Sequence, residues 1–104
     1  MMNAAKELLT FIENSPSMFH SIETIKGMLD EAGFTYLPER TCWDVKQGGT
    51  YYTIRNHSSI IAFRVGKELG DYHFQMCASH SDSPTYKIKN VPELNGPGEY
   101  LRLD

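Results

Sequence analysis

Apolar residues recur at helical spacing near the start of the chain. Asn3 can cap a helix that is predicted to end at Asn14. Its apolar residues fall on one stripe, made of Ala5, Leu8, Leu9 and Ile12. A stripe of this kind is typical of a helix that buries one face. We therefore expect this helix to pack on a common surface with the next one.

A second helix is predicted after Ser15. Pro16 can occupy its first position, where the missing N–H is harmless, and Ser17 is a competing cap. Its predicted buried stripe consists of Met18, Ile22, Ile25 and Leu29. Gly33 stands where a helix ends with a residue of positive φ.

The pattern then changes to that of strands. Residues 36–49 show no sustained period, and their proline and glycines indicate irregular structure. Thr50–Arg55 and residues 59–65 are rich in β-branched and aromatic side chains, so they predict a hairpin around Asn56-His57-Ser58. Further on, residues 85–89 and 99–103 alternate as strands, with a turn at residues 95–98.

The segment of residues 73–84 combines a strand pattern with candidate chemistry. Apolar side chains alternate on one face of a predicted buried strand at Phe74, Met76 and Ala78. His80 and Asp82 continue that face, beyond the carboxyl end of the strand, where open α/β sheets place their ligand sites. Such a pair suits a metal-binding histidine whose ring or bound metal interacts with a neighbouring carboxylate. The alternative is a histidine that only hydrogen-bonds, with Asp82 forming a turn before Pro84.

Composition narrows the class of protein. The chain has 104 residues, 40% of them hydrophobic and 22% charged, which fits one soluble globular domain at most. With a net charge of −3 and scattered basic residues, nucleic-acid binding is not expected. The apolar runs are too short for a bilayer and the start is unlike a signal peptide, so we expect a cytoplasmic protein without a membrane partner. Cys42 and Cys77 are isolated, which indicates neither a disulfide framework nor a thiolate zinc knuckle.

Several motifs occur in the order found in one known family. His80-Ser81-Asp82-Ser83-Pro84 resembles the His-Thr-Asp-Ser-Pro stretch of the aspartyl aminopeptidase family, metallo-aminopeptidases with two zinc ions. Ser15-Pro16-Ser17-Met18-Phe19-His20 is similar to the family's Ser-Pro-Ser-Pro-Phe-His, with Met18 in place of proline. The other landmarks are Ala32-Gly33-Phe34, Trp43-Asp44-Val45-Lys46, Gly48-Gly49, Arg55-Asn56 and Ser59-Ile60-Ile61-Ala62-Phe63. The resemblance assigns no role to His20.

The resemblance implies a fold and a site. The fold is α/β, the N-terminal part of a three-layer α/β/α zinc-peptidase catalytic domain, with two helices followed by a small mixed sheet. Residues 1–84 would belong to that domain, and residues 85–104 would begin an inserted dimerisation domain. His80 is implied to be a zinc ligand and Asp82 the catalytic carboxylate that orients the site. The family's other metal ligands and its glutamate base lie downstream, so we expect a fragment that is inactive and binds little or no zinc alone.

The implied function is zinc-dependent removal of N-terminal residues from peptides, acidic ones in some relatives. Large homo-oligomers are expected for the full-length protein. The alternative is a non-catalytic α+β binding or assembly module that shares the scaffold. A structural domain with a single zinc is disfavoured, because no second ligand lies at metal-site spacing from His80.

Overall fold

The computed structural model of the chain describes residues 3–98 and 100–103. Two helices precede a three-stranded sheet and a separate two-stranded sheet. The elements are α1 (Ala4–Glu13), α2 (Met18–Glu31), β1 (Thr35–Tyr36), β2 (Thr50–Arg55), β3 (Ser59–Arg64), β4 (Glu93–Asn95) and β5 (Leu101–Leu103). Among these residues, neither helix combines the length and the apolar character needed to cross a membrane.

Helix α1 has the predicted ends but not the predicted packing. The side chain of Asn3 accepts a hydrogen bond from the Ala5 amide at 3.1 Å, and Asn14 forms the C-cap. No residue of α1 is buried, however, and the apolar stripe is more than half exposed at Leu8, Leu9 and Ile12. The opposite side of α1, including Lys6, Thr10 and Phe11, lines a cleft of about 790 Å³ shared with α2. The expectation that this stripe packs on a surface shared with α2 is therefore wrong, because the stripe lies on the side of α1 opposite the cleft.

Helix α2 begins at the competing cap. Ser17 has an extended backbone, and its Oγ accepts a hydrogen bond from the His20 amide at 3.4 Å, so Pro16 lies before the helix and not at its first position. At the other end, Gly33 adopts φ +80° as predicted. The Phe34 amide donates to the Leu29 carbonyl at 2.9 Å, which completes a Schellman motif. Within the predicted stripe only Ile22 is fully buried.

The three-stranded sheet is mixed, as predicted. Its order is β1-β2-β3, with β1 parallel and β3 antiparallel to β2. The hairpin register runs from Thr50 opposite Arg64 to Arg55 opposite Ser59. Asn56 and His57 both adopt positive φ in the turn, as the central residues of type I′ turns do. The sequence pattern missed β1, because two residues are too few to show a period.

Tyr52 on β2 joins the sheet to α2. Its side chain is 1% exposed, and its hydroxyl donates a hydrogen bond of 2.6 Å to the Asp30 carboxylate of α2. The Tyr36 ring on β1 lies against it, with the ring centres 5.3 Å apart. These contacts place the small core between α2 and the sheet, together with Ile22.

The chain beyond β3 departs from the prediction. Residues 72–89 form no strand, and Phe74 and Met76 are 80% and 91% exposed, so the buried strand expected there is wrong, as is the strand at residues 85–89. An extended segment becomes a strand only when a neighbour satisfies its backbone groups, and no described segment pairs with it. The radius of gyration is 20.1 Å, against about 13 Å for a compact chain of this size.

The last described residues form a small hairpin. The turn predicted at residues 95–98 is present, and the Gly96 amide donates to the Tyr100 carbonyl at 2.8 Å. β5 covers only Leu101–Leu103 of the predicted strand, whose expected first residue, Glu99, lies outside the described residues. β4 was not predicted, because three residues carry too short a pattern.

Candidate functional site

The segment that carries His80 and Asp82 is attached to the sheet through the residue between them. Ser81 Oγ donates a hydrogen bond of 2.9 Å to the backbone carbonyl of Ser58. Ser58 lies in the turn that follows the carboxyl end of β2, and β1 runs parallel to β2. The motif therefore lies at the edge of the sheet where α/β proteins place their ligand sites. The strand at residues 74–78, whose carboxyl end was expected to position the pair, is absent, and the motif lies beside the end of β2 instead.

His80 and Asp82 contact each other directly. His80 Nδ1 lies 3.1 Å from Asp82 Oδ1 and 2.8 Å from the backbone oxygen of Asp82. A carbonyl oxygen can only accept a hydrogen bond, so Nδ1 must carry the proton. In the neutral ring this leaves Nε2 with a free lone pair, which is the form of histidine that binds a metal ion.

The pair fits one part of a zinc site. The two side chains are 80% and 75% exposed, so they are open to a cation and to further ligands. Neutral imidazole nitrogen is a normal zinc ligand, and a carboxylate on its other nitrogen holds the ring in position. The described residues contain no group of three or more His, Cys, Asp or Glu side chains able to hold a metal ion. Within these residues the motif has the chemistry of one ligand and an orienting partner, and not of a whole site.

The other histidines occupy different settings. His20 Nδ1 lies 2.8 Å from Ser17 Oγ, so it takes part in the cap of α2 and lines the cleft between the helices. His57 occupies the hairpin turn, and His73 is exposed in the irregular segment. Neither of these two belongs to a cluster of metal-binding side chains in the described part of the chain.

Sequence reasoning missed the contact between Ser81 and Ser58. The two residues are 23 positions apart, and no period or spacing relates them. The available indication was chemical: the family motif has threonine where this chain has Ser81, and both side chains carry a hydroxyl group.

A family model described as aminopeptidase I zinc metalloprotease (M18) matches residues 11–103. A probable M18 family aminopeptidase 2 of Clostridium novyi is 42% identical over 101 residues, covering 96% of this chain. Its counterpart in Ectopseudomonas mendocina is 40% identical over 97 residues, covering 92% of the chain. The chain spans 23% and 22% of the length of these two relatives.

Solved structures show the same likeness. A chain in the cryo-electron microscopy structure of the Ape4 and Nbr1 complex superposes with a TM-score of 0.82 and 34% identity, covering 95% of this chain and 19% of that one. The S. cerevisiae mApe1 dodecamer matches with a TM-score of 0.57 and 35% identity, covering 62% of this chain and 16% of that one. The predicted fold class, an N-terminal α/β part with two helices and a small mixed sheet, is confirmed.

Proposed function

This chain belongs to the M18 family of zinc metallo-aminopeptidases, and from that membership we propose that it forms the amino-terminal part of an enzyme that removes N-terminal residues from peptides. The observation that supports the proposal best is the match of the family model over residues 11–103. Peptides with an acidic first residue are the substrates we would test first. The two free cysteines, Cys42 and Cys77, suit the cytoplasmic location that we include in the proposal.

We assign His80 as a zinc ligand and Asp82 as the carboxylate that orients it. When bound, zinc would act as a Lewis acid and activate water for attack on the peptide bond. His80 would offer Nε2, because Nδ1 is engaged by Asp82. Asp82 would hold the imidazole plane and keep the proton on Nδ1. Both side chains are exposed at the edge of the sheet, where a peptide and further ligands have access.

The division of the chain is part of the same proposal. We place residues 1–84 in the catalytic domain and residues 85–104 at the start of an inserted dimerisation domain. The hairpin of β4 and β5 supports this division, because its sheet is separate from the sheet of β1 to β3. A homo-oligomer is proposed for the longer protein, since one relative of known structure is a dodecamer.

The isolated 104-residue chain is expected to lack activity. Zinc affinity depends on the number and geometry of ligands, and the described residues offer no group of three. Peptide hydrolysis by the purified chain that disappears on chelation would contradict this part of the proposal. Such hydrolysis would favour a complete zinc site within these 104 residues.

The decisive experiment uses the full gene product with His80→Ala and Asp82→Asn variants. We expect each variant to lose at least about 10-fold in activity or zinc affinity, since removing the hydrogen-bonded partner of a metal ligand typically costs about 10- to 100-fold. His73→Ala, an exposed histidine of the same segment, is the matched control and should keep both properties. Normal zinc content and peptidase activity in His80→Ala would refute the assignment, whereas absence of peptidase activity in the wild type would favour a non-catalytic module.

A further inference from the structure

Ser81 is the contact that joins the His80–Asp82 segment to the folded part of the chain. Within residues 66–91, all of which are described, Ser81 is the one residue that is not exposed. Its hydroxyl donates to the Ser58 carbonyl at 2.9 Å, and Ser58 is itself half-buried. The hydroxyl of Ser81 therefore holds the motif against the hairpin.

The receiving carbonyl belongs to a well-defined turn. The Ser58 amide donates to the Arg55 carbonyl at 3.2 Å, and Asn56 and His57 both adopt positive φ. The turn closes β2, which contains buried residues. A hydrogen bond to this turn thus ties the position of the motif to the strand that contains the buried residues Tyr51, Tyr52 and Thr53.

We propose that Ser81 is a positioning residue, whose hydroxyl anchors the segment at the carboxyl end of β2 and thereby sets where His80 and Asp82 lie. In this segment the side chain of Ser81 reaches the hairpin, while His80 and Asp82 are exposed and hydrogen-bonded to each other. The inference rests on the proposed function for its meaning in catalysis. Its structural content can be tested in this chain without metal or substrate.

The test compares Ser81→Ala and Ser81→Thr with the wild-type 104-residue chain by NMR. In the wild type, nuclear Overhauser contacts should join Ser81 and Ser58, and the amides of residues 80–82 should be more ordered than those of residues 74–78. Loss of one neutral hydrogen bond should reduce the ratio of anchored to released segment about fivefold in Ser81→Ala. Threonine keeps the hydroxyl, so Ser81→Thr should restore the contacts and the order. Ser79→Ala, a neighbouring exposed serine, is the matched control and should resemble the wild type.

The His80 ring gives a second measurement that a general loss of stability would not change in the same way. In the neutral ring, the NMR signals of the two nitrogens report which of them carries the proton. The wild type and Ser81→Thr should show the Nδ1–H tautomer. Ser81→Ala should shift toward the mixture of Nδ1–H and Nε2–H tautomers that a free histidine side chain shows. Unchanged order and tautomer in Ser81→Ala, or failure of threonine to restore them, would overturn the proposal.

Failure of the anchor and failure of the proposed function give different results. If Ser81→Ala releases the segment but His80→Ala leaves the zinc content and activity of the full gene product unchanged, the anchor stands and the catalytic assignment is wrong. If His80→Ala abolishes activity while Ser81→Ala changes none of the NMR measurements, the assignment stands and the anchor is refuted.

Discussion

Replacing Tyr52 by phenylalanine tests whether one hydrogen bond joins α2 to the sheet. The change removes only the hydroxyl, which donates 2.6 Å to the Asp30 carboxylate from a side chain that is 1% exposed. A hydrogen bond to a charged group contributes about 1.5–3 kcal/mol. The carboxylate is exposed and can recover water, so we expect a loss near the lower limit, about 1.5 kcal/mol in the free energy of unfolding.

The pH dependence gives this prediction a distinct signature. Burial and the hydrogen bond to Asp30 raise the pKa of Tyr52 from 10.0 to about 12. Because the folded-state pKa is the higher one, the stabilisation is fully present below pH 10 and is lost as the pH rises toward 12. The loss in the free energy of unfolding over this pH range amounts to about 2–3 kcal/mol. Tyr52→Phe cannot show this loss, because it lacks the hydroxyl that titrates. On the acid side, the same hydrogen bond lowers the pKa of Asp30, so its contribution is present above pH 3.8 and is lost below that value.

Urea unfolding followed by the fluorescence of Trp43, the single tryptophan, measures both effects. Tyr36→Phe is the control, because it removes a hydroxyl from the partly exposed ring that lies against Tyr52, and it should change stability by less than about 0.5 kcal/mol. If Tyr52→Phe unfolds like the wild type at pH 7 and shows the same decline above pH 10, the proposed link between α2 and β2 is wrong.

Two further predictions concern the helices. Gly33→Ala should destabilise the chain by about 1–2 kcal/mol in urea unfolding, because Gly33 has φ +80°, while Gly27→Ala inside α2 should stabilise it by about 0.5–1 kcal/mol. Nothing lies within 4 Å of a Cβ at either position, so equal effects would contradict the backbone explanation. The exposed apolar stripe of α1 predicts that the chain self-associates. Leu9→Lys should reduce this self-association in sedimentation experiments, since Leu9 is 61% exposed on the stripe. Thr10→Lys on the cleft side of α1 is its control, and a similar decrease there would exclude the stripe as the contact surface.

Local sequence predicted those features that depend on neighbouring residues. Asn3, Asn14 and Gly33 mark helix ends, because caps act within a few positions of the backbone groups that they satisfy. The hairpin of β2 and β3 followed from two short β-rich runs on either side of a turn. The start of α2 was open between Ser15 followed by Pro16 as the first helical residue and a cap at Ser17, and the side-chain contact of Ser17 decided it.

Features that depend on distant partners came only from the tertiary structure. The alternation in residues 74–78 predicted a strand, but a strand also requires a neighbour that accepts and donates hydrogen bonds, and the described chain provides none there. The same holds for α1, whose stripe has no facing surface in the described residues.

The motif shows both kinds of information. The sequence placed an imidazole and a carboxylate two residues apart and, through the family resemblance, predicted their chemistry. The structure decided that His80 Nδ1 faces Asp82 and that Ser81 reaches Ser58, 23 residues away. A hydrogen bond between such distant residues depends on the fold that brings them together, and spacing along the chain does not encode it.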